Sequence, residues 1–120
     1  MAGSELRLFP LQTVLFPGMT LPLNVFEDRY RQLVSECVEA SEPFGVVLIR
    51  DGEEVGRDAT PYEVGTTARI DSLQTDREGH IQLRAKGERR FRISELHHDR
   101  PYLWADVSYP DDEGAEVPDS

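Results

Sequence analysis

Cysteine is almost missing from this 120-residue chain: Cys37 stands alone, so no internal disulfide can form and the fold must rest on its hydrophobic core. Lysine is equally scarce, with only Lys86 present. A Ser-Lys dyad would have to recruit that single residue, and neither a GxSxG elbow nor an SxxK pair occurs. No GxxxxGK[ST] stretch is found, which excludes nucleotide hydrolysis by the P-loop route. Long apolar runs are absent too; none approaches the roughly 18 residues that span a bilayer. The first residues, "MAGSELRLFP", have no basic region followed by an uninterrupted apolar segment, so no secretory signal is visible and a cytoplasmic location is expected. Positive charge is in deficit. The net charge is −10, and "DDEGAEVPDS" at 111–120 contributes Asp111, Asp112, Glu113, Glu116 and Asp119 without a basic residue. Such a chain is repelled by phosphate backbones and anionic lipid, which disfavours general nucleic-acid or membrane-surface binding. The acidic tail is expected to be disordered, or a linker to something beyond it.

What is present reads as one domain over residues 1–110. "ELRLF" (5–9) alternates as a half-buried strand and should end at Pro10. Phe16-Pro17-Gly18-Met19 carries a turn signal, with proline presetting φ at the second position and glycine supplying the positive φ of a type II turn at the third. Pro22 makes "TLPLNVF" an edge strand or an irregular extended segment. From about residue 27 to 40, Tyr30, Leu33, Val34, Cys37 and Val38 recur on one face of an α-helix. Asn24 or Glu27 would cap it, and Glu27 would pair with Arg31.

Beyond the helix the pattern is all strand. "FGVVLIR" (44–50), bounded by Pro43 and Asp51-Gly52, is a central strand with both faces covered, and strands over 64–73, 80–87, 88–96 and 102–109 follow. "DREG" and Gly87-Glu88 are the expected hairpin turns. In the pair over 80–96, Ile81, Leu83, Ala85, Phe91 and Ile93 face inward while Arg84, Lys86, Arg90 and Arg92 face outward. Clustered strands with a single helix predict an α+β fold: a small, partly closed β pseudo-barrel of six or seven mainly antiparallel strands with one amphipathic helix.

Catalytic chemistry is hard to assemble from these residues. Cys37 paired with His80, His97 or His98 is the only thiol combination, but it lies on the apolar helix face with no base one turn away, so a buried core cysteine is expected. His97-His98-Asp99 are neighbours in an extended chain that point to opposite faces; they read as a solvated strand end rather than a metal site. No catalytic, cofactor or metal residues are assigned. Two surface features remain. One is the basic patch of Arg84, Lys86, Arg90 and Arg92, joined by Arg69 and Arg89 or neutralised by cross-strand acids such as Glu88 and Glu95. The other is Trp104, placed opposite Leu103, Ala105, Val107 and Tyr109. If solvated it is an anchor for a partner; otherwise the helix or the proline-rich segment covers it.

The ordered series "LRLFPLQTVLFPGMTLPLNVFEDRYRQLV", "FGVVLI", "VGTTARI", "GERRFRI" and "YLWADV" resembles the N-terminal, substrate-binding domain of the ATP-dependent Lon protease over residues 5–109. The resemblance implies a PUA-type pseudo-barrel carrying a helix, and a non-catalytic recognition module for unfolded or damaged polypeptide that contributes to a protease assembly. The ATPase and peptidase domains of that family lie downstream and are not in this chain, nor is the helical bundle that usually follows the barrel; a stand-alone member or an excised fragment is expected. Asp28 stands where the family commonly has proline, and aspartate also suits a helix start. On this reading Phe16, Met19 and Trp104 are the candidate polypeptide contacts, although Phe16 and Met19 are also read as fixing the turn against the sheet. An RNA-binding PUA-like module using the basic strand face is the alternative, opposed by the acidic net charge and by the lack of aromatics within that stripe.

Overall fold

The computed structural model of the protein describes residues 4–49 and 61–110. Asp51-Gly52, read as the boundary of the 44–50 strand, and the acidic tail at 111–120 lie outside the described residues. Within them the elements run β1 (Ser4–Leu11), β2 (Thr20–Val25), α1 (Asp28–Ala40), β3 (Phe44–Ile49), β4 (Pro61–Thr75), β5 (Ile81–His97) and β6 (Trp104–Ser108). The strands form one sheet in the order β2-β5-β4-β3-β1-β6, and a further β5–β6 pairing joins its ends. Five strands therefore ring a pseudo-barrel, while β2 extends the sheet from the first half of β5. Only β1 and β3 pair in parallel. The α+β pseudo-barrel with one helix is the architecture expected.

The helix forms where the periodicity placed it, starting at Asp28 behind Glu27, whose side chain makes no capping bond. It ends at Ser41 in the left-handed conformation (φ 56°), with the Ser41 and Glu42 N–H groups reaching back to the carbonyls of Val38 and Cys37. Tyr30, Leu33, Val34 and Cys37 are buried, and at roughly 1.5–3 kcal/mol per large apolar side chain this face is what holds the helix to the sheet. Phe9 of β1 stacks on Tyr30 with 4.3 Å between ring centroids. Two expectations fail at the helix surface. Val38 is exposed, bordering an open concavity between the end of α1 and β4 that Ser41, Ile70 and Leu73 also line. Glu27 pairs with Arg29 instead of Arg31, and Arg31 turns to Asp28 and to the Gly79 carbonyl of the β4–β5 turn.

Two strand boundaries also differ from the sequence reading. β1 runs through Pro10 to Leu11. Its β6 side is paired only as far as the bond from Leu8 N to Leu103 O, so the missing N–H at Pro10 faces a side where no ladder remains to be broken. The larger correction concerns Gly87-Glu88, which is not a turn: β5 is one 17-residue strand. The buried residues on both sides of Gly87 are odd-numbered but face different cores, Leu83 and Ala85 under α1 and Phe91 inside the barrel, because a bulge between the pairs Ala68–Gly87 and Thr66–Arg90 turns β5 over. Gly87 bonds across to the loop before β2, with its N–H on the Met19 carbonyl and its carbonyl accepting from Gly18 N, both at 2.8 Å. The "DREG" turn does form, with Asp76 Oδ1 accepting from Glu78 N and His80 N and with Gly79 at φ 86°. So does the turn at Phe16–Met19, closed by Met19 N on the Phe16 carbonyl with Gly18 at φ 91°.

The long strands divide the interior in two. Leu6, Leu8, Val47, Phe91, Leu103, Ala105 and Val107 fill the barrel, where Phe91 occupies space left by Gly45 and Gly65; a Cβ on either would lie within 3 Å of its ring. The second core lies between α1 and the sheet and includes Val25, Phe44, Val46, Ala68, Leu83 and Tyr102. No helix among the described residues is long and apolar enough to cross a membrane.

Candidate functional site

The helix-side face of β3 and β4 is longer than its cover. Alternation places Ala68, Thr66, Val64 and Tyr62 in succession on that face of β4, beside Val46 and Leu48 of β3. Ala68 is buried within the helix-side core. Further along, the loop after β1 closes over Thr66, whose hydroxyl donates to the Leu15 carbonyl at 2.8 Å and pins the loop down. Past that point the cover stops. Tyr62 and Val64 are exposed, and with Val14, Leu15, Leu48 and Arg90 they line a groove of about 110 Å³. Small-molecule sites hold roughly 300–1,000 Å³, so this groove suits one or two side chains of an extended chain rather than a cofactor.

The two turn residues singled out from sequence are not among the residues lining this groove; Phe16 follows Leu15 of its lining and lies near Arg90. Phe16 and Met19 are 49% and 41% exposed; the Met19 sulfur accepts from Phe16 N at 3.3 Å, and the Arg90 guanidinium lies 5.9 Å from the Phe16 ring centroid. Of the eight large apolar side chains exposed among the described residues, five (Val14, Phe16, Met19, Tyr62 and Val64) gather at this end. Sequence reasoning found two of them. Tyr62 and Val64 were readable as a period-two continuation of the inward positions of β4, but that strand is expected to start only at 64.

Trp104 sits elsewhere, at the joint of β5 and β6. It is half-buried, stacked on His97 at 4.1 Å and overlaid by the Arg100 guanidinium at 3.9 Å, and its indole N–H donates to Asp99 at 2.7 Å. Both ring faces are therefore covered, by His97 of β5 and by Arg100, and the side chain also packs against the helix-side core. The His97 Nε2 bonds Asp106 at 3.0 Å, and this carboxylate raises the imidazole pKa above its usual value. The bond from Trp104 holds the Asp99 carboxyl below the usual range.

The basic residues Arg84, Lys86, Arg90 and Arg92 are all exposed on β5, but the bulge divides them between its faces: Lys86 pairs with Arg69, whereas Arg90 and Arg92 pair with Thr66 and Val64 of the helix-side face. Arg89 covers the Tyr109 ring at 3.7 Å. Neutralisation is partial. Arg69 meets Glu88 at 3.0 Å and Arg92 meets Glu63 at 3.4 Å, but Arg84, Lys86 and Arg90 have no carboxylate within 4 Å among the described residues. No aromatic shares the outward β5 positions from Gln82 to Arg92, so nothing in the stripe offers a base a stacking platform.

Cys37 is buried at 1% exposure and burial pushes its thiol up to about 11. Its sulfur faces the Pro43 carbonyl at 3.8 Å, so the core reading holds. Close by, Glu36 binds β1 and the start of β6 to the helix: it accepts from Arg7 Nε at 3.1 Å, from Gln32 at 2.9 Å and from the Tyr102 hydroxyl. Burial opposes its charge, yet those bonds together hold its carboxyl below the usual value. Two histidine–carboxylate groups, Asp76-Glu78-His80 and Glu95-His97-Asp106, bring potential ligand atoms within 4.8 Å. In each the imidazole already meets a carboxylate and an aromatic ring, Phe26 for His80 and Trp104 for His97.

Comparison with known proteins agrees with this architecture. The family model described as the ATP-dependent protease La (LON) substrate-binding domain matches residues 5–120. The chain is 38% identical over 109 residues to Lon protease 2 of Myxococcus xanthus, covering 89% of this chain and 13% of that protein. It is 29% identical over 119 residues to the Lon protease of Flavobacterium johnsoniae, covering 97% of this chain and 14% of that one. The chain thus spans about one-seventh of these relatives. Among solved structures, a Lon N-terminal domain protein from Xanthomonas campestris superposes with a TM-score of 0.75 at 39% identity, covering 88% of this chain and 59% of that one. The N-terminal domain of the Mycobacterium avium complex Lon protease, at 19% identity and a TM-score of 0.64, covers 98% of this chain and 56% of its own, and shares the fold. With its family model matched from residue 5 onward, the chain belongs to the Lon substrate-binding domain family.

Proposed function

We propose that this protein is a non-catalytic recognition module that holds extended segments of unfolded or damaged polypeptide in the groove bordered by Val14, Phe16, Tyr62 and Val64, and that it serves a protease assembly. The observation that carries this reading is the apolar strip of β4, which follows the core pattern yet runs out from beneath the loop anchored by Thr66. A surface patterned for burial but left open is a seat for another chain. The matched substrate-binding domains of Lon proteases support the polypeptide as ligand. Apolar side chains would enter the groove, while Arg90 beside Phe16 would meet a carbonyl or carboxylate at its rim. Trp104 has both faces engaged and plays no part in the grip.

The test is titration of a reduced, unfolded model protein against the native chain and a Val14→Ser, Phe16→Ser, Tyr62→Ser variant. Saturable binding by the native chain that weakens at least tenfold in the variant, at unchanged thermal stability, supports the groove. Equal binding by both proteins removes it. Binding that persists at about 0.5 M salt, where the Debye length is only a few ångströms, marks apolar capture; binding that collapses there belongs to the basic stripe.

A further inference from the structure

The bulge that parts the basic residues of β5 also decides which of them stand beside the groove. We propose that the groove selects apolar segments carrying aspartate or glutamate next to their apolar anchors, and that Arg90 sets this preference.

The placement follows from register. Alternation brings Ala68, Thr66, Val64 and Tyr62 to the helix-side face of β4, and Arg90 and Arg92 of β5 stand opposite Thr66 and Val64. Paired residues share a face, so both guanidinium groups rise on the side of the exposed apolar strip. They are about 7 Å apart along the strand, at roughly 3.3 Å per residue. Continued from the pair Ala68–Gly87 without a bulge, the ladder would set Arg89 opposite Thr66 and turn Arg90 to the other face. Lys86, which pairs with Arg69, is on that other face and takes no part.

Charge at the rim is uncompensated. Arg92 meets Glu63 at 3.4 Å, whereas Arg90 is exposed and has no carboxylate within 4 Å among the described residues. Among the described residues that line the groove, Arg90 carries the only charge. The Phe16 ring, 5.9 Å from its guanidinium, lies at the outer limit of a cation–π contact. A planar fork of donors beside an apolar floor matches a carboxylate better than it matches a neutral carbonyl. The chain as a whole has a net charge of −10 and repels anions at long range. An acidic segment therefore gains only where it reaches this cation, which makes the preference a property of the groove. The inference rests on the polypeptide reading of that groove and narrows its rim partner to a carboxylate.

The experiment titrates three synthetic peptides against the full chain at about 0.1 M salt, where the Debye length is near 10 Å. All share one apolar core of phenylalanine and leucine, flanked by glutamate, by glutamine or by lysine. The glutamate peptide should bind roughly three- to tenfold more tightly than the glutamine peptide, the scale of one or two partly exposed ion pairs, and the lysine peptide most weakly. Arg90→Gln should make the glutamate and glutamine peptides equal while leaving the affinity of the glutamine peptide and the thermal stability unchanged. Arg90→Lys should keep most of the preference, and Lys86→Gln all of it. Equal binding of the glutamate and glutamine peptides by the native chain overturns the inference and leaves the groove standing. A preference that survives Arg90→Gln overturns it too. Failure of all three peptides to bind removes the polypeptide reading itself, and the preference with it.

Discussion

A Cβ on Gly87 would lie 2.5 Å from the carbonyl oxygen of Phe16, and that close approach ties the loop before β2 to the middle of β5. The contacted atom is backbone, so it cannot swing aside as a side chain would. Gly87→Ala should destabilise the fold by roughly 1–3 kcal/mol, the usual range for forcing an extra carbon into packed surroundings. Urea unfolding measures it. Because the same loop borders the groove, the variant should also weaken polypeptide capture more than a distant substitution of equal stability cost.

Cys37 should be nearly inert in the native protein. With its thiol pushed up to about 11, the thiolate fraction at pH 7 is roughly one in ten thousand, and the side chain is covered. Alkylation should therefore be slow in buffer and accelerate sharply across the unfolding transition. Rapid labelling of folded protein would contradict the burial.

Acid should loosen the junction of α1, β1 and β6. The Glu36 carboxyl is held below its usual value of 4.5, so its contribution is present above that pH and is lost as pH falls through the lowered folded value. Glu36→Gln should flatten the drop in stability below pH 4.5 seen in acid titration by circular dichroism. Tyr102→Phe, which removes one donor to Glu36, should cost about 1 kcal/mol at neutral pH.

His97 predicts the opposite slope. Its pKa is raised above 6.5 by the bond to Asp106, so the interaction is fully present below 6.5 and fades as pH rises through the folded value. Trp104, the only tryptophan, stacks on that ring, and a protonated imidazole quenches indole emission. Fluorescence should increase with pH at a midpoint above 6.5, and Asp106→Asn should move that midpoint down. A midpoint unchanged by Asp106→Asn would show that another group governs the titration.

Much of this protein could be read from its residues in order. Helical spacing from Tyr30 to Cys37, the Pro17-Gly18 turn and the apolar run of β3 each depend on chemistry within a few residues, and each formed as read. Where a feature depends on what lies opposite, the sequence is silent. Gly87 looked like a turn because glycine serves turns and close approaches alike; only the Phe16–Met19 loop across from it decides which. Val38 follows the apolar period but is left open in a concavity between α1 and β4. Tyr62 and Val64 belong to a core face by pattern, and become a groove only because the loop anchored by Thr66 stops short of them. Local propensity is a property of neighbours along the chain, whereas cover, closure of the ring by β5 and β6, and exposure are properties of neighbours in space.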